Sequence, residues 1–169
     1  MRSTLLSPRS AGFSLLELLV SLAILALLAT LATPSFLALR ANAAAGAAAN
    51  QLLLALHRAR STALTRGAAT DLCLADATGS CLAQGTARGY RVFLRGAPDT
   101  PLEHQRLPTG LTLSATRQSL TYWPWPRAGT TVTFTLCDPR VPAAARQVIV
   151  SQTGRPRVQR STARYCASG

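Results

Sequence analysis

Arginines and cysteines are the residue types in this chain whose number and spacing could do chemistry. Near the C-terminus stand Gly154-Arg155-Pro156-Arg157, followed by Arg160 and Arg164. A guanidinium stays ionised at any relevant pH and grips phosphate through two parallel hydrogen bonds. Glycine permits the turn that exposes a strand tip, and proline removes conformational freedom between the two arginines, so that both can face one row of phosphates. Arg140 or Arg146 could join from the preceding loop. No aromatic residue is interleaved with these arginines. Trp123-Pro124-Trp125 reads instead as a rigid loop whose tryptophans are buried or face a partner. The pattern suits phosphate contact without base readout, and the bland alternative is a polar turn whose arginines are only solvated.

The whole chain leans the same way. All 18 basic residues are arginine, against six acids, for a formal net charge of +12. Such a surplus suits an acidic partner, nucleic acid or anionic lipid. A GC-rich coding sequence would explain arginine in place of lysine but not the sign of the charge.

The cysteines, Cys73, Cys81, Cys137 and Cys166, show no CxxC spacing, and neither His57 nor His104 lies near a cysteine pair, so no metal site is expected. The six acids are too scattered for a paired general acid and base, and His57, on a helix, and His104, in a loop, form no nucleophile arrangement. The reading is of a binding protein that is not an enzyme and has no cofactor.

The elements that must position these residues divide the chain sharply. Residues 1–12 are polar and carry Arg2 and Arg9. From Phe13 to Leu39 the only ionisable side chain is Glu17, and this run is long enough to cross a bilayer as a helix and too long for the apolar part of a secretory signal. The basic leader predicts a cytoplasmic N-terminus and an exported C-terminal bulk. Over 40–66 the pattern stays helical but becomes amphipathic, with Leu52, Leu53, Leu56, Ala59 and Ala63 on one stripe. Pro34 is expected to kink this helix and Gly67 to stop it. Residues 67–169 form the exported β-rich domain, with strands expected at Asp71–Leu74, Gly89–Leu94, Leu111–Ser114, Thr131–Cys137 and Arg146–Ser151. One domain of ordinary size is all that the length allows. Four cysteines in an exported domain read as two disulfides. Of three connectivities, Cys73 with Cys81 and Cys137 with Cys166 closes sequence-local loops.

The stretch Gly12-Phe13-Ser14-Leu15-Leu16-Glu17-Leu18-Leu19-Val20 resembles the prepilin peptidase site of type IV pilins and type II secretion pseudopilins. Ala55 to Ala63, Cys73, Leu136-Cys137-Asp138 and Val148 to Val158 extend the likeness to the FimT and GspH group of minor pilins, while Gly96 to Arg127 matches nothing recognisable. The resemblance implies an α+β pilin fold, a long N-terminal helix packed on an antiparallel β-sheet domain. It implies cleavage between Gly12 and Phe13 by the prepilin peptidase, methylation of the new Phe13 amine, and an inner-membrane stage before assembly with other pilin subunits into a pilus or pseudopilus. Removing 12 of 169 residues leaves 157, with 16 arginines against six acids, a charge of +10.

Glu17 then has two readings. A carboxylate within an apolar membrane helix is costly and usually paired, and the family implies the Phe13 amine of a neighbouring subunit as its partner. Ser14 and Glu17 are also spaced as a capping box. Gly154-Arg155-Pro156-Arg157 resembles the Gly-Arg-x-Arg motif through which FimT-type pilins bind double-stranded DNA in natural transformation, with Arg160 and Arg164 extending the surface. The rival implication is a GspH-like pseudopilin of type II secretion, or a pilin that primes assembly, without nucleic-acid binding.

Overall fold

The computed structural model describes residues 14–125, 131–161 and 166, and for residues 31–34 the backbone alone. The chain divides into two units, 1–37 and 38–169. A single helix, α1, Leu15–Arg66, begins in the first unit and ends in the second, running through Pro34 without interruption. In the first unit the described side chains are, apart from Glu17, exposed leucines, valine, isoleucine, phenylalanine and small residues, and this stretch is long and apolar enough to cross a membrane.

In the second unit α1 acquires a buried face. Ala41, Ala45, Ala48, Ala49, Leu52, Ala55, Leu56, Ala59 and Ala63 fall at helical spacings and are at most 7% exposed. Alanines on most of that stripe let the sheets approach the helix backbone closely. Leu54, His57, Arg58 and Leu64 occupy the opposite, exposed side. Gly67, in the left-handed region at φ 61°, ends the helix.

Eight strands follow among the described residues: β1 Thr70–Ala75, β2 Gly89–Leu94, β3 Glu103–Arg106, β4 Thr112–Ala115, β5 Ser119–Tyr122, β6 Val132–Cys137, β7 Arg146–Val150 and β8 Pro156–Arg160. A 3-10 turn at Pro142–Ala144 precedes β7. They form two four-stranded antiparallel sheets, β3-β2-β1-β5 and β4-β6-β7-β8, where the sequence suggested one. The β4–β5 connection carries the chain from the second sheet to the first, and the backbone of Ala87, just before β2, bridges to Leu113 of β4. Tyr90, Leu72, Leu74, Leu113, Phe134, Leu136, Val132, Val148 and Val150 join the helix stripe in one continuous core. Each such side chain contributes about 1.5–3 kcal/mol on burial.

Both disulfides are present, Cys73–Cys81 and Cys137–Cys166, with Cα separations of 5.7 and 5.6 Å. The first staples the loop after β1. The second ties Cys166 to the end of β6, where its sulfur also lies 3.6 Å from the Pro142 carbonyl.

Candidate nucleic-acid interface

The loop between β7 and β8, residues 151–155, is held by a compact set of bonds. Gly154 N donates to Ser151 O at 2.8 Å, Ser151 N to Arg155 O at 3.1 Å, and Arg155 N to the Ser151 hydroxyl at 3.2 Å. The Ser151 and Thr153 hydroxyls are 2.9 Å apart. Gly154 has φ 73°, and a Cβ there would stand 3.1 Å from the Tyr122 ring. Glycine is required twice over, by the backbone and by the neighbour. From the first sheet the Tyr122 hydroxyl donates to Gly154 O at 3.3 Å. Burial pushes that hydroxyl up to about 12, with the charge of Arg60 opposing, so it remains a neutral donor at physiological pH.

This scaffold holds Arg155 exposed on the turn and Arg157 exposed in the edge strand β8. Pro156, between them, is buried as the first residue of that strand, opposite Val150; an edge strand accepts a proline there because no partner awaits its missing N–H. The motif is thus half turn and half strand, not a turn throughout as the sequence suggested, and Arg155 and Arg157 precede the tail that the second disulfide holds. Arg157 pairs with Ile149 and Gln159 with Gln147, on the sheet face that also carries Thr135. Buried Gln147 bridges them, donating to the Thr135 hydroxyl at 3.4 Å and accepting from Gln159 at 3.1 Å. Arg160, of opposite parity, projects from the other face beside Arg146.

Four of the six acids are engaged elsewhere. Asp71 binds Arg95 through two bonds of 3.1 Å, Glu103 binds Arg58 at 3.0 Å and Asp138 binds Arg140 at 2.8 Å. The Thr78 hydroxyl, with the backbone around Ser80, holds the Asp76 carboxyl below the usual range. Among the described residues no acid pairs with Arg155, Arg157 or Arg160. Of the two arginines considered as additions, Arg140 is tied to Asp138 through both carboxylate oxygens, and Arg146 donates to three oxygens of its own domain.

The aromatic loop is a separate cluster: the Trp123 and Trp125 rings are 5.9 Å apart and Arg95 sits 4.9 Å from the Trp123 ring centre. His104 lies in β3 and not in a loop, packed over Gly79. No group of three or more metal-ligating side chains converges among the described residues. Glu17 lies in the first turn of α1, yet no bond links the side chains of Ser14 and Glu17 to each other's backbone N–H, so the reciprocal capping box does not form. Gly12, Phe13 and Arg164 lie outside the described residues.

Residues 48–154 match the family model of the type II transport protein GspH, and residues 7–33 match the prokaryotic N-terminal methylation motif. This chain belongs to the GspH family of minor type IV pilins and pseudopilins. Two crystal forms of the type IV minor pilin FimU from Pseudomonas aeruginosa PAO1 share the fold seen here. They are 23% and 22% identical, cover 70% and 71% of this chain and 94% and 90% of their own, and superpose with a TM-score of 0.50 in each case. No curated protein matches the chain by sequence. The GspH model ends at Gly154, so Arg155 and Arg157 fall just past what family membership describes.

Proposed function

We propose that this minor pilin binds extracellular double-stranded DNA through Arg155 and Arg157 for uptake in natural transformation, gripping phosphates without reading sequence. The observation that carries the reading is the pair of exposed arginines without acidic partners among the described residues, on a bonded turn and an edge strand, in a chain where four of the six acids are engaged elsewhere. The bonded turn and strand fix the backbone that carries both arginines, and the planar guanidinium fork loses less freedom per hydrogen bond than a flexible ammonium does. Arg160 and Arg164 add positive potential beyond this pair. Before assembly the chain is an inner-membrane precursor with its β domain in the periplasm. The prepilin peptidase cuts it between Gly12 and Phe13, the Phe13 amine is methylated, and Glu17 pairs with that amine on a neighbouring subunit.

The test is a titration of the full chain in detergent with duplexes of unrelated sequence. Binding is expected to be weak, equal across sequences, and to fall with salt at a slope of about −3 to −4 in log affinity against log salt, as for three to five phosphates. Arg155→Gln with Arg157→Gln is expected to flatten the slope by about two units while circular dichroism is unchanged. Unchanged binding by the variant, or no binding by the parent at low salt, favours the second reading, a GspH-like pseudopilin of type II secretion or an assembly-priming pilin. The match of residues 48–154 to a type II transport protein supports that alternative.

A further inference from the structure

Arg146 opens β7 and Arg160 closes β8, directly opposite each other in the register. Like charges so placed destabilise a sheet, and no acid among the described residues pairs with either. Arg146 is nonetheless fixed. One terminal nitrogen donates to the carbonyls of Ala144 and Ala145 at 3.2 and 3.1 Å, and the other to Oδ1 of Asn42 at 3.3 Å. Asn42 in turn donates to Ala38 O at 3.0 Å. This end of the second sheet is thereby tied to α1 two residues past Arg40, which is exposed and directly follows the apolar run 13–39. Arg40 and Asn42 are about 3 Å apart along the axis and about 200° apart around it. Arginines therefore stand on both sides of the helix, within about one turn of the point where its apolar segment ends. Asp138, the acid in the nearby loop, is held by Arg140.

We infer that Arg40, Arg146 and Arg160 form a collar that binds the phosphates of anionic phospholipid headgroups while the chain is still inserted in the membrane. The inference rests on the membrane reading of residues 13–39 given above. Headgroups are the polyanion that surrounds a helix at the level where its apolar run stops, and arginine stems reach sideways to them. Arg155, five residues from Arg160, lies roughly 16 Å away along the strand direction, which separates the collar from the DNA-facing turn. The charge that strains the β7–β8 pairing is relieved when phosphates fill the space between the two guanidinium groups.

The full chain in nanodiscs, of phosphatidylcholine alone or with phosphatidylglycerol, tests this by paramagnetic broadening of the arginine Nε–Hε signals from spin-labelled headgroups. Broadening is expected at Arg40, Arg146 and Arg160, stronger with phosphatidylglycerol and weakened by salt, and absent at Arg155 and Arg157. Arg40→Gln or Arg160→Gln is expected to cut the lipid-dependent effect on the remaining two about fivefold, as for one arginine near an anionic surface. Equal broadening in both lipids, equal broadening at Arg155, or an Arg160 signal that answers to added duplex but not to phosphatidylglycerol would each overturn the collar. Acyl-chain labels report insertion separately: if they leave residues 15–37 unbroadened, the membrane reading fails and the collar with it, whereas broadening there with a silent collar leaves the membrane reading intact.

Discussion

At Gly154 a single missing methyl group decides whether the turn can present Arg155. The backbone sits at φ 73°, and the Tyr122 ring would be 3.1 Å from any Cβ. Gly154→Ala is expected to cost about 1–2 kcal/mol, from left-handed strain and displacement of that ring. Urea denaturation checks the loss. A smaller loss for Gly154→Ala in a Tyr122→Ala background, which removes the ring, assigns the difference to the ring; an equal loss assigns it to φ. Arg155 itself contributes little to stability, being exposed and without a side-chain hydrogen bond among the described residues, so substitutions there report binding and not folding.

Among the elements, the two disulfides close loops of very different length, 8 and 29 residues in sequence separation. If they act on the unfolded chain, removing Cys137–Cys166 by serine substitution is expected to cost about 1 kcal/mol more than removing Cys73–Cys81, measured as the difference in unfolding free energy of the two double variants. Equal losses would place the effect in the native state. The elements also show where reading the sequence succeeds and where it stops. The helix face at Leu52, Leu56, Ala59 and Ala63 and the strands around Leu72, Val92, Phe134 and Val148 are written in apolar periodicity, and the structure has them there. β3, Glu-His-Gln-Arg, has no apolar residue at all, because an edge strand over a solvated face needs none. β8 begins with a proline that reads as a turn, and its pairing with β7 depends on Gln147, Gln159 and Val158, which no local pattern announces. The arginines of the site were legible by type; their separation onto two faces of β8 was not, since parity is fixed only by the register.

For the whole molecule, the excess of arginine over acid has a geometry as well as a sum. Three ion pairs consume Asp71, Glu103 and Asp138, and among the remaining arginines Arg155, Arg157 and Arg160 are exposed in and beside β8. The proposed passage from membrane to filament depends on processing of the N-terminal segment. Gly12→Ala is expected to block removal of residues 1–12, leaving a membrane-bound precursor of all 169 residues by mass spectrometry. A product of 157 residues from that variant would refute the processing site.

The open edge of the second sheet has a consequence for how the protein behaves when crowded. Among the described residues, β8 has a partner on one side only, and a bare edge invites strand addition from another copy. Arg157 and Arg160 guard it, because two such edges brought together would set guanidinium against guanidinium. The residues proposed to hold phosphates would thus also keep neighbouring copies from fusing edge to edge, and a polyanion that neutralised them would remove that guard on binding.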